Sequence, residues 1–139
     1  MVDIVLPGSS WTEDGGTMPN LEDRVLLRRA AQILLGESRL DWIILSQLAE
    51  KLGKGSYFPY QSTKDIFEEL RLASAGGKVD YSGITYDKLE KQRGIFWPCT
   101  NDNDLGTTEY FARSHKKVIF HPVEYTIQSE MKIVSTLST

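Results

Sequence analysis

The sequence predicts a mixed α/β chain with helices in its middle and strands at both ends. Three observations carry that expectation. Ile4-Val5-Leu6 is a short apolar run closed by Pro7-Gly8, the pattern of a buried strand arriving at a loop. Trp42, Leu45, Ala49 and Leu52 recur at helical spacing before Gly53, and Ile66, Phe67, Leu70 and Ala73 do the same before Ala75-Gly76-Gly77. Val118-Ile119-Phe120 and Ile133-Val134 are β-branched and aromatic runs that suit strands.

Taken in order, residues Gly8 to Asn20 are Gly, Ser, Thr and Asp around Trp11, which reads as a loop. Leu21 to Leu35 is ambiguous. Val25, Leu26, Ala30 and Ile33 suit a helix, whereas Val25, Leu27 and Arg29 suit an extended edge, and propensity alone leans to helix. Ser38 followed by Asp41 resembles a capping box, with Asp where Glu or Gln is preferred, and Leu48 widens the stripe of the helix that follows. Ser62 with Asp65 repeats that start signal. Between the two helices, Ser56 to Gln61 is an aromatic connector containing Tyr57, Phe58 and Tyr60. A short helical turn is expected from Thr85 to Glu90. Ile95 to Cys99 is then an apolar segment interrupted by Pro98, and residues 100–108 form a polar loop. A strand at each extreme, without a visible partner, is what excision from a larger fold leaves.

At 139 residues the chain is long enough to bury the core of one ordinary domain. Apolar content of 40% and charged content of 25% are ordinary for a globular protein. A net charge of -3 argues against a general nucleic-acid binder, which needs a basic face. The short clusters Arg28-Arg29 and His115-Lys116-Lys117 read as solvated surface. The single cysteine, Cys99, excludes an internal disulfide. No stretch approaches the ~20 apolar residues that span a bilayer. The opening Met1 to Pro7 lacks a signal peptide's basic region and long apolar run, so a cytoplasmic location is expected.

Self-contained chemistry is not visible. His115, His121 and Cys99 stand in no metal-ligand spacing. Cys99 follows Phe96-Trp97-Pro98, an apolar setting that keeps a thiol protonated. Gly15-Gly16-Thr17 and Ala75-Gly76-Gly77 match no phosphate-cradling loop and read as turn glycines. Glu68-Glu69 reads as the solvent face of a helix.

From Val2 to about Tyr125 the chain resembles the molybdopterin oxidoreductases, a family that includes formate dehydrogenases and assimilatory nitrate reductases. The carrying stretches are VDIVLPGSSWTEDGGTMPNLEDRV, GESRLDWIILSQLAEKLG, DIFEELRLASAGGKVDYSGITYDKLE, GIFWPC and VIFHPVEY, in the family's order. The resemblance implies a chain that begins at the last strand of a Rossmann-like domain and runs through connecting helices over residues 1–125. Residues 126–139 would then start the C-terminal dinucleotide-binding β-barrel domain. It also implies that Leu21 to Leu35 is largely extended, against the propensity lean.

The cofactor implied is molybdopterin guanine dinucleotide, with only part of its site on this chain. Asp41 matches the family aspartate of Gly-Glu-x-x-x-Asp, which is associated with the guanine. A carboxylate accepts paired hydrogen bonds from the N1–H and N2–H₂ edge. Asp41 as a plain helix-capping residue is the bland reading, and the two are compatible. Asn20, the second cofactor contact the resemblance implies, matches the Asn after Gly-Thr, where a turn-favouring side chain positions the loop. Related enzymes often carry Glu-Lys where this chain has Glu13-Asp14. A lysine there contacts pterin or phosphate, and Asp14 cannot replace it.

The family's metal ligand, its iron–sulfur cysteines and its catalytic His and Arg all lie upstream of these stretches. The expected function is therefore a fragment or split part of a molybdenum or tungsten bis-pterin oxidoreductase catalytic subunit, silent alone, whose partners are the remaining domains or subunits. The alternative is a non-catalytic module docking on a larger subunit through the Trp42–Leu52 face and Tyr57–Tyr60. A free guanine-nucleotide binder would need a phosphate loop that the sequence lacks.

Overall fold

A computed structural model describes residues 2–77, 79–104, 106, 115, 117–118 and 120–125. Strands β1 (Gly16–Pro19) and β2 (Arg24–Arg28) precede helix α1 (Asp41–Lys51), a 3₁₀ turn at Gly55–Tyr57, helices α2 (Thr63–Ser74) and α3 (Tyr86–Lys91), and strand β3 (Ile95–Phe96). The three strands form one antiparallel sheet in the order β1-β2-β3.

The hairpin β1–β2 lies inside the segment expected to be loop and possible helix. Gly16 pairs with Arg28 and Pro19 with Val25. Asn20 closes the turn: its Oδ1 accepts from the Glu22 amide at 2.9 Å and the Arg24 amide at 3.0 Å. Such local side-chain bonding is why Asn favours turns over helix. Asp23 completes the turn at φ 61. The helical lean for Leu21 to Leu35 is thus corrected. Pairing on both edges of β2 overrides a weak intrinsic preference, and Gly16 with Thr17 enters β1 rather than a turn, Gly15 standing just before it.

Strand β3 pairs Ile95 with Val25 and Phe96 with Arg24, whose guanidinium lies 4.1 Å from the Phe96 ring centre. Beneath the sheet, Val25, Phe67, Ile84, Leu89, Ile95 and Cys99 form the core, with Leu27, Tyr81 and Tyr86 packed on it. Each fully buried aliphatic here contributes roughly 1.5–3 kcal/mol.

Helix α2 starts as its sequence predicts. Ser62 and Asp65 form a reciprocal capping box. Hydrogen bonds from the Gln61 amide first, then from Ser62, hold the Asp65 carboxyl below its ordinary value. Phe67 is the residue of its apolar face that reaches the core, whereas Leu70 and Ala73 stay exposed. The expected turn at Thr85 is α3, capped by the Thr85 hydroxyl accepting from the Lys88 amide at 3.1 Å.

Other expectations are corrected. Helix α1 forms, but without the Ser38–Asp41 box. Leu40 is its N-cap with no side-chain bond, and the Ser38 hydroxyl donates to the Leu35 carbonyl at 2.7 Å. Asp41 is then the first helical residue, too early for the box geometry. The α1 stripe buries Ala49, while Leu45 is 57% and Leu52 68% exposed.

Residues Ile4 to Leu6 make no strand, and Val5 is 77% exposed. A run apolar on both faces needs sheet neighbours and covering helices. The chain meets the Arg39 segment only after this run, where Pro7 and Ser9 bond Arg39 through a parallel bridge at Gly8. Val118 and Phe120 are exposed and take no strand, while Ile119 lies outside the described residues, as do residues 126–139 with the expected strand at Ile133-Val134. No described helix is long and apolar enough to cross a membrane.

Candidate functional site

Two expected site residues, Asp41 and Asn20, are set by different devices. The parallel bridge fixes the chain entering α1: the Arg39 amide donates to the Pro7 carbonyl at 3.1 Å and the Ser9 amide to the Arg39 carbonyl at 2.9 Å. This brings Asp41 against Gly8 so closely that a Cβ on Gly8 would lie 2.6 Å from Asp41 Oδ1. The loop before β1 is pinned by Glu13, which is 7% exposed. Its carboxylate accepts from the Ser10 amide at 2.7 Å and the Leu35 amide at 3.0 Å.

Between the hairpin and helices α1 and α2 lies a cavity of about 420 Å³, within the size range of small-molecule sites. Its walls include Asp14, Gly15 to Thr17, Arg28, Asp41, Trp42 and Thr63, over a floor of Ile66 and Phe67. Asp14 turns one oxygen to the Gly15 amide at 2.6 Å. Two carboxylates and one guanidinium thus belong to the lining residues. That balance disfavours a phosphate and suits a neutral heterocycle presenting N–H groups. Arg28 Nη1 and Trp42 Nε1 are buried without an acceptor among the described residues. The lining thus offers both donors and acceptors to a small hydrogen-bonding molecule.

Asn20 is not on this wall. Its Oδ1 is consumed by the hairpin turn, and its Nδ2 reaches Glu22 at 3.5 Å. It shapes the hairpin that carries Arg28.

Sequence reading placed Arg28 on a solvated surface, yet it is half-buried with its guanidinium 5.7 Å from the Trp11 ring centre. The alternation of Leu27 and Arg28 in a strand was the signal for it. Lys88 was also missed. Its Nζ donates to the carbonyls of Gly83 at 2.7 Å and Asp104 at 2.6 Å, tying α3 to the loop after β3. It also lies 3.4 Å from Cys99 Sγ. Burial pushes the Cys99 thiol up, and the Lys88 ammonium only partly offsets this, so the thiol stays protonated at neutral pH. Among the described residues no group of three or more His, Cys, Asp or Glu is arranged to hold a metal.

The cavity gathers Asp14, Arg28, Asp41 and Trp42 on one lining, a set of donors and acceptors suited to binding. The model of the molybdopterin oxidoreductase family matches residues 1–51. The assimilatory nitrate reductase catalytic subunit of Bacillus subtilis is 52% identical over 112 residues, which is 81% of this chain and 16% of that protein. The F420-dependent formate dehydrogenase subunit alpha of Methanocaldococcus jannaschii is 42% identical over 135 residues, 94% of this chain and 19% of that protein. A nitrate reductase of Synechocystis is 35% identical over 96 residues, 69% of this chain and 13% of its own length.

The chain belongs to the molybdopterin oxidoreductase family. It spans under one-fifth of the length of these relatives.

Proposed function

We propose that this chain is a piece of the catalytic subunit of a molybdenum or tungsten bis-pterin oxidoreductase, of formate dehydrogenase or nitrate reductase type. On this reading it is silent alone and forms one wall of the site for the guanine of a molybdopterin guanine dinucleotide. Residues 1–125 belong to the end of a Rossmann-like domain and its helical connector, and residues 126–139 open the C-terminal β-barrel. Its partners are the rest of that subunit. The observation that carries the reading is Asp41, held against Gly8 on the wall of the cavity by the parallel bridge.

When bound, the cofactor supplies the two-electron redox chemistry. This chain's residues bind and orient. The Asp41 carboxylate accepts from the N1–H and N2–H₂ edge of the base, while Thr17, Thr63 and Phe67 bound the cavity that receives it. Asn20 acts through the hairpin it closes. Asp14, where related enzymes often carry lysine, leaves phosphate recognition to other parts of the subunit.

The test is Asp41→Asn in the whole subunit, read as guanine nucleotide released per chain on acid hydrolysis. The expected result is a lower guanine content with an unchanged melting temperature. An equal loss of thermal stability with full guanine content would leave Asp41 as a helix-start residue alone.

The second reading, a module docking on a larger oxidoreductase subunit, is favoured by the exposure of Leu45, Leu48, Leu52 and Tyr57 on α1 and the turn after it. Leu48→Glu with Leu52→Glu, both exposed and off the cavity lining, is then expected to abolish co-purification with that subunit while guanine recognition survives.

A further inference from the structure

The cavity around Asp41 holds more than one half of a recognition device. We propose that Arg28 and Trp42 donate to the acceptor atoms of the purine whose N–H edge Asp41 accepts, and so decide guanine against adenine. The inference rests on the Asp41 reading above.

Arg28 Nη1 and Trp42 Nε1 are buried with no acceptor among the described residues. Their residues stand on the cavity walls with Asp41. Buried donors are nearly always paired, so two unpaired ones beside a cavity point to acceptors supplied by its occupant. Arg24 Nε and Trp97 Nε1 also lack acceptors, but neither residue lines this cavity, and Glu22 stands 3.8 Å from Arg24 Nε. Both proposed donors are on fixed supports. Arg28 sits in β2 opposite Gly16, with its guanidinium 5.7 Å from the Trp11 ring centre. Trp42 follows Asp41 directly on α1.

The chemistry sorts purines. Guanine carries a carbonyl oxygen beside its N1–H, so one base meets the carboxylate and the donors together. Hypoxanthine keeps that oxygen and N1–H but loses the 2-amino group. Adenine puts an amino group where the oxygen stood, opposing donor to donor, and such mismatches of buried polar groups discriminate strongly.

The test is titration of GMP, IMP and AMP at millimolar concentrations into the full chain, with Arg28→Met, Trp42→Phe and Asp41→Asn variants. Wild type is expected to bind GMP above IMP, and IMP above AMP. Arg28→Met and Trp42→Phe should each weaken GMP and IMP alike by about tenfold, the scale of one lost hydrogen bond, and leave AMP unchanged. Asp41→Asn should instead erase the difference between GMP and IMP. Trp42→Phe also assigns the indole N–H resonance of Trp42, which should move downfield on GMP addition. That resonance and the wild-type IMP-to-AMP ratio decide the matter even if a variant does not fold. An unmoved indole signal at GMP saturation, or IMP bound no better than AMP, overturns the inference. Asp41-dependent GMP binding that ignores Arg28 and Trp42 overturns it alone. Absence of GMP binding by wild type also overturns the inference, while the Asp41 reading stands or falls on the guanine content of the whole subunit.

Discussion

Replacing Lys88 by Met is the sharpest stability test of this fold. The ammonium makes two short bonds, to the Gly83 carbonyl at 2.7 Å and the Asp104 carbonyl at 2.6 Å, and longer ones at 3.4 Å to the Asn101 carbonyl and Cys99 Sγ. Charge-assisted bonds are worth about 1.5–3 kcal/mol each. Lys88 is half-buried, so screening by solvent discounts that by roughly half, and Met keeps the packing of the stem. The expected loss is about 2–3 kcal/mol. Urea unfolding of the full chain followed by tryptophan fluorescence should show it. With a slope of about 1–3 kcal/mol/M, the midpoint should fall by roughly 0.7–3 M. Reaction of Cys99 with a thiol reagent should also quicken, because the loop over it loses its anchor. A midpoint moved by less than about 0.3 M at unchanged slope would refute the role given to Lys88.

Other outcomes follow from the same geometry. Gly83→Ala should destabilise by about 2–3 kcal/mol in the same unfolding assay, because overpacking costs that much and the new Cβ would meet Asn101 backbone atoms at 2.4 Å. Asp23→Gly should stabilise by about 0.5 kcal/mol, relieving an Asp held at φ 61 in the turn. For Asp80, burial raises the carboxyl, but hydrogen bonding from Ser82 and from the Gly76 amide outweighs it and leaves the group below its ordinary value. Its folded-state value lies below its unfolded one. It therefore adds stability above the ordinary Asp value of 3.8, and that contribution is lost as pH falls through the lower folded value. Thermal melts of Asp80→Asn should accordingly show lower stability at neutral pH and a shallower acid limb.

Local signals were legible where the chain supplies its own partners. Ser62 with Asp65 and Thr85 start α2 and α3 because their bonds close within one turn. The hairpin was not, since β2 is extended by β1 on one edge and β3 on the other, a tertiary pairing that no window of sequence contains. The Ser38–Asp41 signal misled because Arg39 is taken up by the parallel bridge at Gly8 and Leu40, not Ser38, is the N-cap. The same bridge puts Asp41 on the cavity wall, so the residue's position there came from a resemblance and not from its spacing. Arg28 was hidden because a charged residue in a strand reads as solvent-facing until its neighbours are known.

The central claim is that this chain works as part of a larger molybdopterin oxidoreductase. Size-exclusion chromatography of an extract from the source cell, following this chain with molybdenum and tungsten across the same fractions, tests it most directly. The account predicts co-elution in one large metal-containing peak. A small peak free of both metals would contradict it.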